Sequence, residues 1–267
     1  MKKLLYTIIL FSSLSFGQIK TVVSIAPLKL FVDKIGGDRV ESSIMVQAGA
    51  SPHSYEPKAS QMKAISNADI YFAIGVEFEK VWLDKFKNQN RNLIISDTSK
   101  GIEKIDSKDP HIWTSPINVK QIAKNIYHTL STFDKNSSSF YKKNLDNYLK
   151  ELDKLDSNIR ETLKDTPKGS NFMVFHPAWG YFAKEYNLTE LPVEIEGKEP
   201  KMRELIKLIK EAKKNRIQAI FTQPEFSDKS AKIIAKSLHI KVIKTSPLAQ
   251  NWSENLQKLA KAISHKE

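Results

Sequence analysis

The side chains best equipped for chemistry in this chain are three of its six histidines. His53 stands in AGASPHSYEPKASQM, His111 in DPHIWTSP and His176 in NFMVFHPAWGYFAKEY. His128 falls inside a helical pattern, His239 between a helix and a strand, and His265 in the tail, so these three read as surface or packed positions. The chain contains no H-E-x-x-H pair and no cysteine, which excludes both a metalloprotease helix and a thiolate site. Three neutral imidazoles suit Zn²⁺, which takes four tetrahedral ligands of nitrogen, oxygen or sulfur. Mn²⁺ is harder and draws more carboxylate. A fourth position is open to water or to a carboxylate, with Glu225 in FTQPEFSDKS the leading carboxylate. Glu56 and Glu77 are weaker candidates, and Asp109 is placed either to orient an imidazole or to form a turn.

These histidines are far apart in the chain, so the fold must bring them together. Apolar runs of strand length occupy 21–25, 40–46, 69–74, 92–95, 171–175, 189–195, 219–222 and 240–243. Helical patterns lie between them at 58–66, 81–87, 201–214 and 227–238. Such alternation predicts parallel sheets with helices on both faces. His53 follows the run 40–46. His111 precedes Ser115-Pro116, a cap and first helical residue, and His176 ends the run 171–175, with Pro177 opening the next helix. Each imidazole thus lies past the carboxyl end of a strand or at the mouth of a helix, where open α/β sheets bind ligands. Two facing sheets would carry His53 and His111 from one half towards His176 from the other. Trp113, Trp179, Tyr181 and Phe182 are expected to pack the cleft walls.

Between the halves, Leu145, Tyr148, Leu149, Leu152, Leu155, Ile159 and Leu163 form one helical stripe, stopped by Pro167-Lys168-Gly169. About 28 residues at about 1.5 Å each make a rod of about 42 Å, a spine rather than a flexible linker. The expected fold is therefore α/β: two lobes, each with a mainly parallel sheet flanked by helices, joined by one long rigid helix. The divisions fall at 18–136, 137–166 and 167–267, after a leader over 1–17.

That leader has Lys2 and Lys3, an apolar stretch to Phe16, and small residues at Ser15 and Gly17. It reads as a cleavable secretory signal, too short to span a bilayer, and no cysteine follows to carry a lipid. The mature chain is expected to be an exported, periplasmic monomer. Its formal charge of +12 comes from lysines interleaved with acids along helices, as in KKNLDNYLKELDKLDSNIRETLKD. That pattern describes solvated helix faces rather than a nucleic-acid surface.

Several segments together resemble the cluster A-I metal-binding substrate-binding proteins of ABC transporters, closest to their zinc-uptake branch. They are GASPHSYEPKASQ, ADIYFAIGVEFEKVWLDK, DPHIWTSP, the long helix, FHPAWGYFAKEY, and TQPEFSDKSAKIIAKSL with KTSPLAQNWSENL. The resemblance runs through nearly the whole mature chain. It implies two α/β lobes around a buried metal, no enzymatic activity, and delivery of the metal to an inner-membrane ABC permease. Carried over by position, it assigns His53, His111 and His176 as ligands. A histidine at the third place favours Zn²⁺ as cargo over Mn²⁺ or Fe²⁺. This chain departs from the family pattern twice: Ser246 stands where an aspartate precedes Pro-Leu, and Glu-Pro-Gln reads Gln223-Pro224-Glu225. The fourth ligand is then water, the preferred reading, or Glu225 or Ser246. The long His-rich loop that many zinc members insert before the second histidine is absent.

Overall fold

The computed structural model describes residues 17–264 apart from positions 48 and 196. The leader expected over 1–17 lies, except for Gly17, outside the described residues, as does His265. Among the described residues, eight strands form two four-stranded sheets whose strand pairings are all parallel. In the first, β1 (Ile19–Val23), β2 (Val40–Ile44), β3 (Ile70–Ala73) and β4 (Ile94–Asp97) are ordered β2-β1-β3-β4. In the second, β5 (Ser170–Val174), β6 (Leu188–Pro192), β7 (Ala219–Thr222) and β8 (Lys241–Lys244) are ordered β6-β5-β7-β8. The two halves thus share one strand order, although their sequences carry no recognisable repeat.

The central strands are built of residues that tolerate burial on both faces. Every residue of β3 (IYFA) and β7 (AIFT) is buried, as parallel sheets covered by helices require. The edge strands β4 and β8 have no fully buried residue and are exposed at both ends.

Helices α1 (Ala26–Gly36), α2 (Ala59–Ser66), α3 (Glu79–Gln89) and α4 (Pro116–Phe133) belong to the first half. The spine α5 (Ser138–Leu163) has 26 residues, about 39 Å of helix. Of the expected stripe, Leu145, Tyr148, Leu152, Leu155, Ile159 and Leu163 are buried and Leu149 only partly so, while Tyr141 joins the buried face at the start of the helix. The second half contributes α6 (Gly180–Glu185), α7 (Met202–Lys214), α8 (Lys229–Leu238) and α9 (Trp252–Ser264). The last of these keeps to its own sheet through Asn255 and Lys258 but also reaches the first half. It packs along α5, and the Trp252 ring meets Phe31 of α1 edge-on at 5.1 Å. One large core therefore runs through both halves, while a smaller one fills the space between β5, β7, α7 and α8.

The start signals of α4 and α6 behave differently. Ser115 caps α4 by accepting the Asn118 N–H at 3.3 Å, with Pro116 in the first turn, as its sequence predicts. The helix expected to open at Pro177 instead begins at Gly180. The backbone N–H groups of Ala178 and Trp179 are taken by the Glu190 carboxylate, at 3.1 and 2.9 Å, so these residues form an anchored turn.

Candidate metal centre

The three histidines project from segments that join a strand to the helix or turn after it, and these segments meet at a common gap. His53 is carried by the irregular stretch between β2 and α2. His111 begins a short 3₁₀ turn (Ile112–Thr114) ahead of α4, and His176 lies two residues beyond β5. Their ring centroids are 6.0 Å (His53–His111), 4.9 Å (His53–His176) and 5.4 Å (His111–His176) apart. One ring nitrogen from each lies within 4.8 Å of the others. The Nε2 atoms of His53 and His176 are 3.1 Å apart.

Each imidazole is oriented from behind by a carboxylate. Nδ1 of His53 lies 3.1 Å from Glu77, Nδ1 of His111 lies 2.8 Å from Asp109, and Nδ1 of His176 lies 3.0 Å from Glu194. For His111 and His176 the contact is a hydrogen bond, which fixes the tautomer with the proton on Nδ1 and turns the Nε2 lone pair inwards. His53 makes an ion-pair contact with Glu77. Further contacts hold the segments. Asp109 also accepts the His111 backbone N–H at 2.9 Å. Gln223 accepts the backbone N–H of His176 at 3.2 Å and donates to its carbonyl at 2.8 Å. The His176 ring stacks on Phe226, centroids 4.5 Å apart.

The electrostatics differ between the rings. His53, with its side chain 35% exposed, is pushed above the ordinary imidazole range by its hydrogen bond to Glu77. His176 is pushed below that range by burial, which outweighs the pull of Glu194. Burial works to raise Glu77, but the hydrogen bond and charge of His53 bring it down to about 2.

The space the rings enclose is small, about 20 Å³, bounded also by Pro52, Trp113, Glu225, Phe226, Pro247 and Leu248. A single water needs roughly 10–15 Å³ measured in this way, so there is room for one small body. Glu225 lines the space but stands outside the converging set, and it accepts the Ser246 hydroxyl at 3.0 Å. Ser246 in turn accepts the Leu248 N–H at 3.0 Å, which leaves its oxygen engaged on both sides. Glu56 is exposed, and Glu77 serves His53 from behind. Of the expected wall residues, Trp113 lines the space, while Trp179 and Phe182 belong to the main core. Tyr181 bridges the halves: its hydroxyl donates to the Asp109 carbonyl at 2.7 Å and accepts the Ile105 N–H at 3.0 Å.

Glu194 and the clasp of Gln223 were missed in the sequence. The signal for Glu194 was a carboxylate past the end of β6, but it acquires meaning only once β6 is known to pair with β5.

The chain as a whole is similar to known proteins. A family model described as zinc-uptake complex component A, periplasmic, matches residues 21–265. The chain belongs to this family of metal ABC transporter substrate-binding proteins. Its fold matches a crystal structure of ZnuA with a TM-score of 0.89 and 40% identity, covering 93% of this chain and 98% of that one. A 138–173 deletion mutant of ZnuA with zinc bound matches with a TM-score of 0.86, also at 40% identity, covering 92% and 97%. The manganese ABC transporter substrate-binding lipoprotein PsaA of Streptococcus mitis is 27% identical, covering 92% of this chain and 90% of its own length. The family is one of substrate-binding proteins of metal transport.

Proposed function

We propose that this chain is the periplasmic zinc-binding component of an ABC transporter. It captures one Zn²⁺ between its lobes on His53, His111 and His176 and hands the ion to an inner-membrane permease. The observation that carries this reading is the convergence of three imidazoles, each with its Nδ1 committed to a carboxylate. A donor set of three nitrogens fits borderline Zn²⁺ better than Mn²⁺ or Fe²⁺, which favour oxygen. The zinc-bound relative at 40% identity supports the same choice.

Water completes the coordination. Ser246 has its oxygen engaged, and Glu225 would have to leave Ser246 to reach the ion. Glu225 and the manganese-named PsaA favour the second reading, a carriage of Mn²⁺ or Fe²⁺. A leader over 1–17 suits export to the periplasm, with lobes over 18–136 and 167–267, the helix of 137–166 between them, and action as a monomer. Nothing in the lysine pattern calls for nucleic acid.

Calorimetry on chelator-stripped protein tests the reading. One equivalent of zinc should bind tightly and be lost in His53→Ala and His176→Ala; unchanged affinity in both variants refutes it. Titration of zinc against manganese and iron(II) in competition decides the cargo, and manganese outcompeting zinc would select the second reading.

A further inference from the structure

His111 and His176 are nearly enclosed and packed by aromatic rings, whereas His53 sits on a segment with no regular structure and one exposed flank. Something must hold it. Its orienting partner Glu77 lies in the turn that links β3 to α3, and this turn is gripped from inside the lobe by a second carboxylate, Glu79. Glu79 is 3% exposed. Its Oε1 accepts the Ile74 N–H at 3.0 Å and the Ser24 hydroxyl, and its Oε2 accepts the Gly75 N–H at 2.7 Å. Ser24 is shared with the Tyr71 hydroxyl at 2.8 Å, so the grip is tied to the ends of β1 and β3. Gly75 has φ of 92°, a conformation that favours glycine, and turns the chain so that Glu77 faces away from Glu79. The next residue closes the link, since the Phe78 N–H donates at 3.2 Å to the carbonyl of Pro52, the neighbour of His53.

We propose that Glu79 is a positioning residue for metal capture: by gripping the backbone of Ile74 and Gly75 it sets the turn that aims Glu77 at His53. This rests on the metal-site reading above. A buried carboxylate is costly unless its lone pairs are filled, and here the partners filling them are the backbone groups of that turn and the strand-end serine. An aliphatic residue would pack the same space without fixing the turn. Glu79 touches no metal and acts through Glu77.

The test uses the full chain, stripped of metal, with zinc as probe at pH 8. Glu79→Gln keeps the shape but presents an N–H₂ to one backbone donor. It should weaken zinc binding about tenfold, as Glu77→Gln should, and the double variant should bind no more weakly than Glu77→Gln alone. Nitrogen NMR of the imidazoles should show the His53 Nδ1 signal moving in Glu79→Gln, with those of His111 and His176 unmoved. Ser24→Ala, which removes one donor and keeps the carboxylate, should weaken binding about threefold, again with no further loss in the Glu77→Gln background. It carries the test if Glu79→Gln does not fold. Wild-type affinity in these variants, additive losses, or equal shifts of all three imidazoles would overturn the proposal. Failure of wild-type protein to bind zinc, or binding retained in His176→Ala, would instead overturn the metal-site reading.

Discussion

At the scale of single residues, the three imidazoles are unequal competitors for protons. Metal and proton seek the same Nε2 lone pair, so a ring whose proton is held more firmly gives way to metal only at higher pH. His53 is that ring, raised by Glu77, whereas burial keeps His176 neutral to lower pH. Zinc affinity should therefore fall as pH drops from 8 to 5, and His53 should set where the fall begins. In Glu77→Gln that support is gone and His53 returns towards its ordinary range. The fall should then begin at lower pH, although affinity at pH 8 is about tenfold weaker for want of the orienting carboxylate. Chelator-competition titrations across that pH range check both effects. An unshifted profile in the variant would show that Glu77 does not govern His53.

At the scale of elements, β6 does more than its short sequence suggests. Just beyond its end Glu194 meets His176, and from within it Glu190 anchors the turn that follows His176. Burial pushes Glu190 up to about 7, against the lowering effect of its two backbone bonds. The sign follows from proton linkage: the folded chain keeps a proton here that the unfolded chain has already lost. The favourable contribution is full below the ordinary carboxyl range near 4.5 and is lost as pH rises through about 7. Partial solvent access reduces the effect to roughly 2 kcal/mol. In Glu190→Gln the stability difference between pH 5 and pH 8, read from urea unfolding, should shrink by about that amount. An unchanged difference would mean that Glu190 is ionised throughout.

The same region shows what could be read from the chain and what could not. All eight expected strands lie where apolar runs place them, and the α5 stripe is buried but for the partly covered Leu149, because periodicity is a local property. His53 and His111 sit nine and fourteen residues beyond their strands, whereas the place of His176 at the end of β5 was legible for the same reason. The late start of α6 was not, since it depends on a carboxylate ten or more residues away competing for two N–H groups. Nor was Glu194, whose role is a matter of which strand lies beside which.

At the scale of the whole molecule, the two halves are less separate than two lobes and a spine suggest. The returning α9 stitches the chain's end to α5 and α1, and the larger core is continuous across the gap. Thermal unfolding of metal-free protein should accordingly give one dominant cooperative transition involving both halves. Two well-separated transitions of similar enthalpy would contradict this continuity. The arrangement also opposes a wide hinge, so metal exchange is expected to work through the loops, the His53 segment first.

Trp113 has a consequence of a different kind. Its indole N–H donates to the Pro247 carbonyl at 2.8 Å, its own carbonyl accepts the indole N–H of Trp252 at 2.9 Å, and its ring centre is 5.4 Å from that of His111. An indole clamped beside the proposed ion site is a built-in optical gauge. Its emission should respond to occupancy without any dye, with an open-shell ion dimming the light where a closed-shell one does not.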